Sequence, residues 1–239
     1  IIVASLGVII LFAPWRRIAR GHPDLMDQRK GASSAPLKAW TFKRAVRSRP
    51  YWALTAVHFI TAISMFSVQP QIVAFLVENG VNPITAASAF GVSGISATVG
   101  LLVFGVIADK YGALISVTLS YSLTIFGYVL LTALAIAPST FLLWAFVILY
   151  GASFGSRGPV ISALTARIFG RGPDLGLIMG AIFMGMGSGA AVGATLGGLI
   201  HDVTEGYAAV IALALGAISI PVVIFWTVPE LRAAGRWRR

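Results

Sequence analysis

The chain has 239 residues, of which 57% are hydrophobic and 11% are charged. A soluble domain needs the opposite balance to cover its surface with solvated groups, so this composition excludes an ordinary soluble domain and indicates a lipid environment. The sequence contains no Cys, which excludes thiol chemistry and thiolate metal sites, and we predict no cofactor and no metal.

The first fifty residues divide into a short apolar run and a long polar stretch. Residues 1–14 are apolar but too few to cross a bilayer, and they lack the basic flank of a signal peptide. We interpret them as the end of a truncated transmembrane helix, which predicts that the chain is part of a longer protein. Residues 15–50 read as a basic linker, in which Lys38–Arg49 could form a short amphipathic helix at the membrane interface.

Six apolar stretches follow, each long enough to cross a bilayer core of about 30 Å. They lie at 51–77, 84–108, 113–136, 140–165, 175–200 and 207–228, and are called spans 1 to 6 below. The connections between them are short, so consecutive spans should be antiparallel neighbours. The sequence therefore predicts an all-α integral membrane protein with a six-helix bundle over 51–228 and a basic tail at 229–239.

The net charge of +10 is concentrated on one side of this bundle. If the spans alternate, seventeen of the eighteen Lys and Arg residues lie on the same side, which the positive-inside rule assigns to the cytoplasm. We therefore predict a multi-pass protein of the cell membrane, with its linker and C-terminus cytoplasmic, and membrane lipid rather than nucleic acid as its partner. The seventeen are Arg16, Arg17, Arg20, Arg29, Lys30, Lys38, Lys43, Arg44, Arg47, Arg49, Lys110, Arg167, Arg171, Arg232, Arg236, Arg238 and Arg239.

A short repeat relates the two halves of the bundle. The pattern G-x-I-x-D ends span 2 at Gly105 to Asp109 and recurs at the end of span 5 at Gly198 to Asp202. The first copy faces the basic side and the second faces the opposite side. Two three-helix units of opposite orientation form an inverted repeat, an arrangement typical of transporters with alternating access.

The loop after span 2 resembles a known family signature. Its residues Gly105-Val-Ile-Ala-Asp109-Lys110-Tyr-Gly112 are similar to the G-x-x-x-D-R/K-x-G loop of the major facilitator superfamily. The stretches that begin at Arg49, Leu76, Arg167 and Gly198 resemble monocarboxylate-transporter-like and oxalate/formate-antiporter-like members.

This resemblance implies twelve helices in two six-helix bundles, with this chain as the C-terminal half and a missing N-terminal half as its partner. It also implies that Gly105, Asp109, Lys110 and Gly112 form a gate that holds one conformation. The alternative from the residues alone is a simple turn with an orienting Lys.

Arg157 is the eighteenth basic residue and lies inside span 4. Burying an Arg in a membrane costs at least about 2.5–3.5 kcal/mol, so it normally faces a partner or a watery cavity. The predicted spans contain no Asp or Glu, which leaves an acid on the missing half or an anionic ligand as the partner. The alternative is a structural Arg that extends to the interface. Ser153 and Ser156, which both precede it within one helical turn, are further candidates for substrate binding. Gly158-Pro159 should bend the helix.

Three further candidate polar residues, His58, Gln69 and Gln71, lie in span 1. His58 is predicted at a depth similar to that of Arg157, where it could exchange protons during transport or form a structural hydrogen bond. Gln69 and Gln71 flank Pro70, where an unwound turn could place them in an outer vestibule or let them bridge helices. We include His58 and Gln71 among the candidate substrate-binding residues.

A glycine stripe runs along span 5. Gly185, Gly189, Gly193 and Gly197 recur every four residues, which places them on one helix face where another backbone can approach closely. The stripe predicts helix packing.

These features together predict a secondary active transporter for a small organic solute. An intramembrane Arg favours an organic anion such as a carboxylate, moved by proton symport or anion exchange. A transporter of a neutral or drug-like solute is the alternative. An intramembrane protease is a weaker alternative, because Gly91-Val-Ser93-Gly94 matches G-x-S-G but no His is expected at the depth of Ser93; we predict no enzyme.

Overall fold

The structure is a computed structural model that describes residues 40–170 and 174–235. Its regular elements are all helical, and six helices are long and apolar enough to cross a membrane. The prediction of an all-α six-helix bundle is confirmed. The truncated helix at 1–14, most of the linker, and Arg236, Arg238 and Arg239 of the tail lie outside the described residues.

Four of the six spans run slightly longer than the apolar stretches suggest, span 3 has the expected length, and span 6 is one residue shorter at each end. Span 1 covers Arg49–Glu78 and includes a 3-10 turn at Gln69–Gln71, and span 3 covers Ala113–Ile136 as expected. The other four spans are Pro83–Tyr111, Thr140–Phe169, Leu175–Thr204 and Ala208–Thr227. Spans 2, 4 and 5 each extend three or four residues past their predicted ends, because helical hydrogen bonding continues through polar residues at the membrane surface.

Local sequence sets several of these boundaries. Pro50 occupies the first turn of span 1, where the missing N–H costs no helical hydrogen bond. Asn82 caps span 2 by accepting a hydrogen bond from the Ile84 N–H at 2.9 Å. Gly112 has a φ of 97°, a conformation that favours glycine, and lets the chain turn directly from span 2 into span 3.

Prolines affect the spans unequally. Span 4 continues as one helix through Pro159, and span 6 continues through Pro221. At Pro70, in contrast, span 1 passes through the 3-10 turn before its last helical segment, Ile72–Glu78. The turn at Gln69 and Gln71 is therefore tightened into a 3-10 helix and is not unwound as expected.

The packing of the spans has the symmetry of an inverted repeat. Span 1 packs along span 5, and span 4 packs along span 2; span 6 packs on span 1 as span 3 packs on span 4. If span 1 is exchanged with span 4, span 2 with span 5 and span 3 with span 6, the pair 1 and 5 becomes the pair 4 and 2, and the pair 6 and 1 becomes the pair 3 and 4. The contact between spans 3 and 6 maps onto itself. The G-x-I-x-D motifs end at equivalent places, since Asp109 and Asp202 each lie two residues before their span ends.

Two short helices lie at the end of the bundle where spans 1, 3 and 5 begin. Phe42–Val46 is held there because the Phe42 N–H donates to Asp174 Oδ2 at 2.8 Å and Trp40 packs edge-on against Phe169. Pro229–Gly235 follows span 6 and brings Gly235 against Leu114 at the start of span 3. The residues of the predicted linker from Trp40 onward thus pack on the protein itself.

Candidate functional site

Arg157 lies in the interior of the bundle, surrounded by hydroxyl groups. Its Nε donates to Ser120 Oγ at 3.3 Å, and its Nη2 donates to Thr124 Oγ1 and to Ser153 Oγ, the latter at 3.4 Å. We call Ser120, Thr124 and Ser153 the hydroxyl cluster. The Nη1 group contacts Met65 Sδ at 3.0 Å, and the whole residue is 5% exposed.

Helical periodicity on two spans builds this cluster. Ser116, Ser120 and Thr124 recur every four residues on span 3, and Ser153 and Arg157 are one turn apart on span 4. These two polar faces pack against each other. Thr124 Oγ1 donates to Ser153 Oγ at 2.8 Å, and Ser120 Oγ donates to the Ser153 carbonyl at 3.1 Å. These hydrogen bonds therefore fix the orientation of the hydroxyls that accept from the guanidinium.

Tyr121 connects Arg157 to span 1. The Arg157 Cζ lies 4.8 Å from the centroid of the Tyr121 ring, a cation–π distance. The Tyr121 hydroxyl forms a 2.8 Å hydrogen bond with Thr61 Oγ1. Since Met65 also belongs to span 1, the guanidinium has contacts with spans 1, 3 and 4 at once.

A second set of polar groups continues the interior polar region. Tyr128 donates to the Ser64 carbonyl at 3.0 Å, and Ser64 Oγ donates to the Ala214 carbonyl of span 6 at 2.7 Å. The Tyr150 hydroxyl is buried and has no hydrogen-bond partner among the described residues. The interior of the bundle is thus polar along several turns, although every span is apolar overall.

The electrostatics of the site are those of one buried cation among neutral groups. The four hydrogen-bond partners of Arg157 in the described residues are three hydroxyls and a thioether, and none is a carboxylate. Hydroxyl dipoles offset part of the desolvation cost of the guanidinium but supply no negative charge. Spans 1, 3 and 4 cover the side chain, so in this conformation neither an acid on a second half nor a solute would contact more than a small part of it.

His58 lies apart from this cluster. It is 6% exposed, its Nδ1 lies 2.9 Å from the Leu54 carbonyl, and its ring packs edge-on against Phe183 of span 5 at 5.1 Å. His58 therefore faces span 5, and no hydrogen bond joins it to Arg157. The Nδ1 contact requires that this nitrogen carry the proton, because a carbonyl can only accept.

Gln71 lies near the end of span 1, far from Arg157. It lines a small, largely apolar crevice with Phe75, Leu131 and Tyr207, between spans 1, 3 and 6. The Oε1 atoms of Gln69 and Gln71 are buried without a hydrogen-bond partner in the described part of the chain. The structure thus brings Ser153 to Arg157 but not His58 or Gln71. Ser156 lies in span 4, and its side chain is outside the described residues.

The residues of the loop motif lie at the surface. Asp109 and Lys110 are exposed in the last turn of span 2, and the Lys110 ammonium lies 5.7 Å from the Tyr111 ring centroid. Gly112 is the positive-φ residue between spans 2 and 3, whereas a Cβ added to Gly105 would meet no atom within 4 Å. The gate role of this motif stays a prediction.

The glycine stripe of span 5 faces span 1. Gly185, Gly189, Gly193 and Gly197 are buried. A Cβ added at these positions would meet Thr55, Phe59, Ile63 and Ser67, which also recur every four residues. The two backbones therefore approach closely over more than three helical turns.

An equivalent close approach joins spans 2 and 4. Gly151 lies against Ser93, Gly155 lies against Ala97, and Gly100 lies against Ala152. This contact of Gly151 and Gly155 with span 2 was not predicted from the sequence. Their spacing of four residues is the signal that could have identified it.

The structure also shows the surroundings of Ser93, which matches the protease motif, and of Ser153. Ser93 Oγ donates to the Phe90 carbonyl at 2.6 Å, and Ser153 Oγ donates to the Tyr150 carbonyl at 2.7 Å. His201 lies at the opposite end of the bundle from the basic residues, with Nδ1 3.5 Å from Asp202 Oδ1 and its ring 4.4 Å from that of Tyr207. Burial raises the pKa of Tyr207, and the nearby Glu78 carboxylate raises it further.

The hydroxyl cluster and its tyrosines were also not identified from the sequence. Ser120, Thr124, Tyr121 and Tyr128 are ordinary residues for an apolar span when each is considered singly. The signal was the four-residue spacing of Ser116, Ser120 and Thr124, which marks a polar face on span 3.

Comparison with known proteins gives one family match. The model of the Major Facilitator Superfamily matches residues 54–237 of the chain. A comparison with curated proteins finds no match.

Among solved structures, the fold is similar to the crystal structure of a POT family transporter in complex with 5-aminolevulinic acid, with a TM-score of 0.67 and 18% sequence identity. The similarity covers 77% of this chain and 38% of that one, so the chain spans well under half of its structural neighbour. At this identity the likeness concerns the fold.

Proposed function

Because the chain belongs to the major facilitator superfamily, we propose that it is the C-terminal half of a secondary active transporter that moves a small organic solute by alternating access. The inverted pairing of spans 1–3 with spans 4–6 supports this mechanism. Units related in this way can exchange equivalent conformations on the two sides of a membrane.

The uncovered faces of spans 2 and 5 support a second half. These spans are the least buried of the six. Their exposed side chains include Val99, Leu102, Met184 and Leu199, which are apolar and lie on the sides turned away from spans 4 and 1. A partner bundle on these faces would place the transport path beside spans 2 and 5, and the missing N-terminal half is the proposed partner.

The substrate we propose is an organic anion, such as a carboxylate, taken up by proton symport or by anion exchange. The observation that carries this proposal is a buried guanidinium whose described hydrogen-bond partners are all neutral. An anion that reached Arg157 would compensate its charge and accept hydrogen bonds from the guanidinium. Arg157, Ser153 and Ser156 are the proposed binding residues on span 4.

A neutral or drug-like solute is the second candidate, and one observation favours it. Arg157 is 5% exposed and has contacts with three spans, so it could act as a structural residue that joins them. In that case the solute would contact the exposed faces of spans 2 and 5, and its uptake would not depend on its charge.

A counterflow screen of carboxylates and neutral solutes with the full-length protein separates the two candidates. If the substrate is an anion at Arg157, Arg157→Ala should reduce its apparent affinity by about thirtyfold or more, because one partner of a buried charge pair is removed. Arg157→Lys should retain part of the uptake, and the distant, exposed Arg232→Gln should retain all of it. Unchanged carboxylate uptake in a folded Arg157→Ala protein would show that Arg157 is structural.

A further inference from the structure

The linker end of span 1 presents basic side chains at a fixed place on the bundle. Lys43, Arg47 and Arg49 are exposed, while Ala45 between them is fully buried. The main chain is held by the hydrogen bond from Phe42 N–H to Asp174 Oδ2. We call Lys43, Arg47 and Arg49 the basic corner.

Trp52 sets the depth of this corner relative to the membrane. It lies in the first turn of span 1, is 59% exposed, and donates its indole N–H to the Val46 carbonyl at 2.8 Å. An exposed Trp at the start of a membrane span is typical of the boundary between headgroups and acyl chains. The basic corner, which precedes it by three to nine residues, therefore lies at the level of the lipid phosphates.

Charge complementarity indicates the kind of partner. The described residues at this end carry seven basic side chains against three acidic ones, Asp109, Asp174 and Glu230. One oxygen of Asp174 already accepts the Phe42 N–H. The seven are all exposed: Lys43, Arg44, Arg47, Arg49, Lys110, Arg167 and Arg232.

We infer that the basic corner binds the headgroup of an anionic phospholipid, with the acyl chains beside Trp52. Lys43 and Arg47 are one helical turn apart, so both can reach one phosphate, and Arg49 lies at the start of span 1. This lipid-binding surface is separate from the proposed solute site, because that site is at Arg157 in the bundle interior.

Calorimetric titration of the purified full-length protein in a non-ionic detergent tests this inference. Short-chain phosphatidylglycerol should bind about a hundredfold more tightly than short-chain phosphatidylcholine, since each of the three basic side chains contributes about fivefold. Raising the salt from about 0.1 to about 0.5 M should weaken phosphatidylglycerol binding, because exposed charges are screened. The salt titration needs no variant and so does not depend on how a mutant folds.

Matched double variants locate the surface. Lys43→Gln/Arg47→Gln should weaken phosphatidylglycerol binding about twenty-five-fold, since each basic side chain near a headgroup contributes about fivefold. Arg167→Gln/Arg232→Gln, which removes two charges at the same end, should weaken it less than fivefold. Equal affinity for the two lipids, equal losses in the two variants, or inorganic phosphate binding as tightly as phosphatidylglycerol would each overturn the proposal.

Discussion

At the level of single residues, the environment of Arg157 is the main result. A guanidinium has five N–H donors, and its contacts with Ser120, Thr124, Ser153 and Met65 use most of them without any acidic group. The Tyr121 ring adds a cation–π contact, and its bond to Thr61 ties that ring to span 1. A movement of span 1 relative to spans 3 and 4 would therefore change the surroundings of Arg157 directly.

His58 allows a prediction about proton coupling at the same scale. Its Nδ1 contacts Leu54, and Asn places an amide N–H where Nδ1–H lies, so His58→Asn should keep this contact while removing the titratable group. If His58 carries the coupled proton, the variant should still exchange solute in counterflow but lose most of its stimulation by a proton gradient. Uptake into proteoliposomes with and without an imposed gradient measures both.

The control for this prediction is His201→Asn at the other end of the bundle. The side chain of His201 is partly exposed beside Asp202, and the variant should keep the response to the gradient. Gradient-driven uptake that survives in His58→Asn would assign His58 a structural role in the packing of span 1 on span 5.

At the level of elements, two glycine-lined contacts hold the bundle together. Spans 1 and 5 meet along Gly185 to Gly197, and spans 2 and 4 meet at Gly100, Gly151 and Gly155. In lipid there is little hydrophobic drive for helices to associate, so close backbone packing supplies much of the attraction. The two contacts occupy equivalent places in the inverted repeat, and they pair a span of one unit with a span of the other.

The glycine contact on span 5 gives a stability prediction. A Cβ at Gly193 would lie 2.6 Å from the Ile63 carbonyl oxygen, so Gly193→Ala should destabilise the protein by about 1–3 kcal/mol through overpacking. Gly216→Ala on span 6 is the matched control, because a Cβ there meets no atom within 4 Å and span 6 is not one of the spans proposed to contact the second half. Its better helix propensity should leave stability equal or raise it by up to about 1 kcal/mol.

Thermal unfolding of the two variants in detergent measures the difference. A lower melting temperature for Gly193→Ala alone is the expected result. Equal shifts in both proteins would mean that spans 1 and 5 do not approach each other as closely as described.

At the level of the whole molecule, the distribution of charge predicts an orientation. The starts of spans 1, 3 and 5 share one end of the bundle with the basic residues, and Glu78, Asp202 and Glu205 lie at the other. We predict that the basic end faces the cytoplasm. The chain contains no Cys, so single cysteines can report the two sides in a full-length protein whose other cysteines have been removed.

Asp202→Cys and Arg232→Cys are suitable positions because both residues are exposed. A maleimide that cannot cross membranes should label Asp202→Cys in intact cells, and should label Arg232→Cys after the cells are permeabilised. Labelling of Arg232→Cys in intact cells would reverse the orientation.

The number and positions of the spans could be predicted because they depend on local properties. About 20 consecutive apolar residues suffice to identify a crossing, and each predicted span overlaps a helix of the structure. The ends of the spans were predicted less accurately, because the helices continue through polar residues such as Asp109 and His201. The glycine period on span 5 likewise identified a contact face, since a spacing of four residues is itself a geometric property of a helix.

The sequence by itself determined how deep each residue lies, because a helix rises about 1.5 Å per residue whatever surrounds it. It could therefore place Arg157 and His58 inside the membrane and Asp109 at its surface. Only the tertiary structure decided which way these side chains face, since rotation about a helix axis depends on which distant spans pack against it. That packing turned Arg157 toward the hydroxyls of span 3 and His58 toward Phe183 of span 5. The sequence identified the buried charge, and the fold determined its neutral partners.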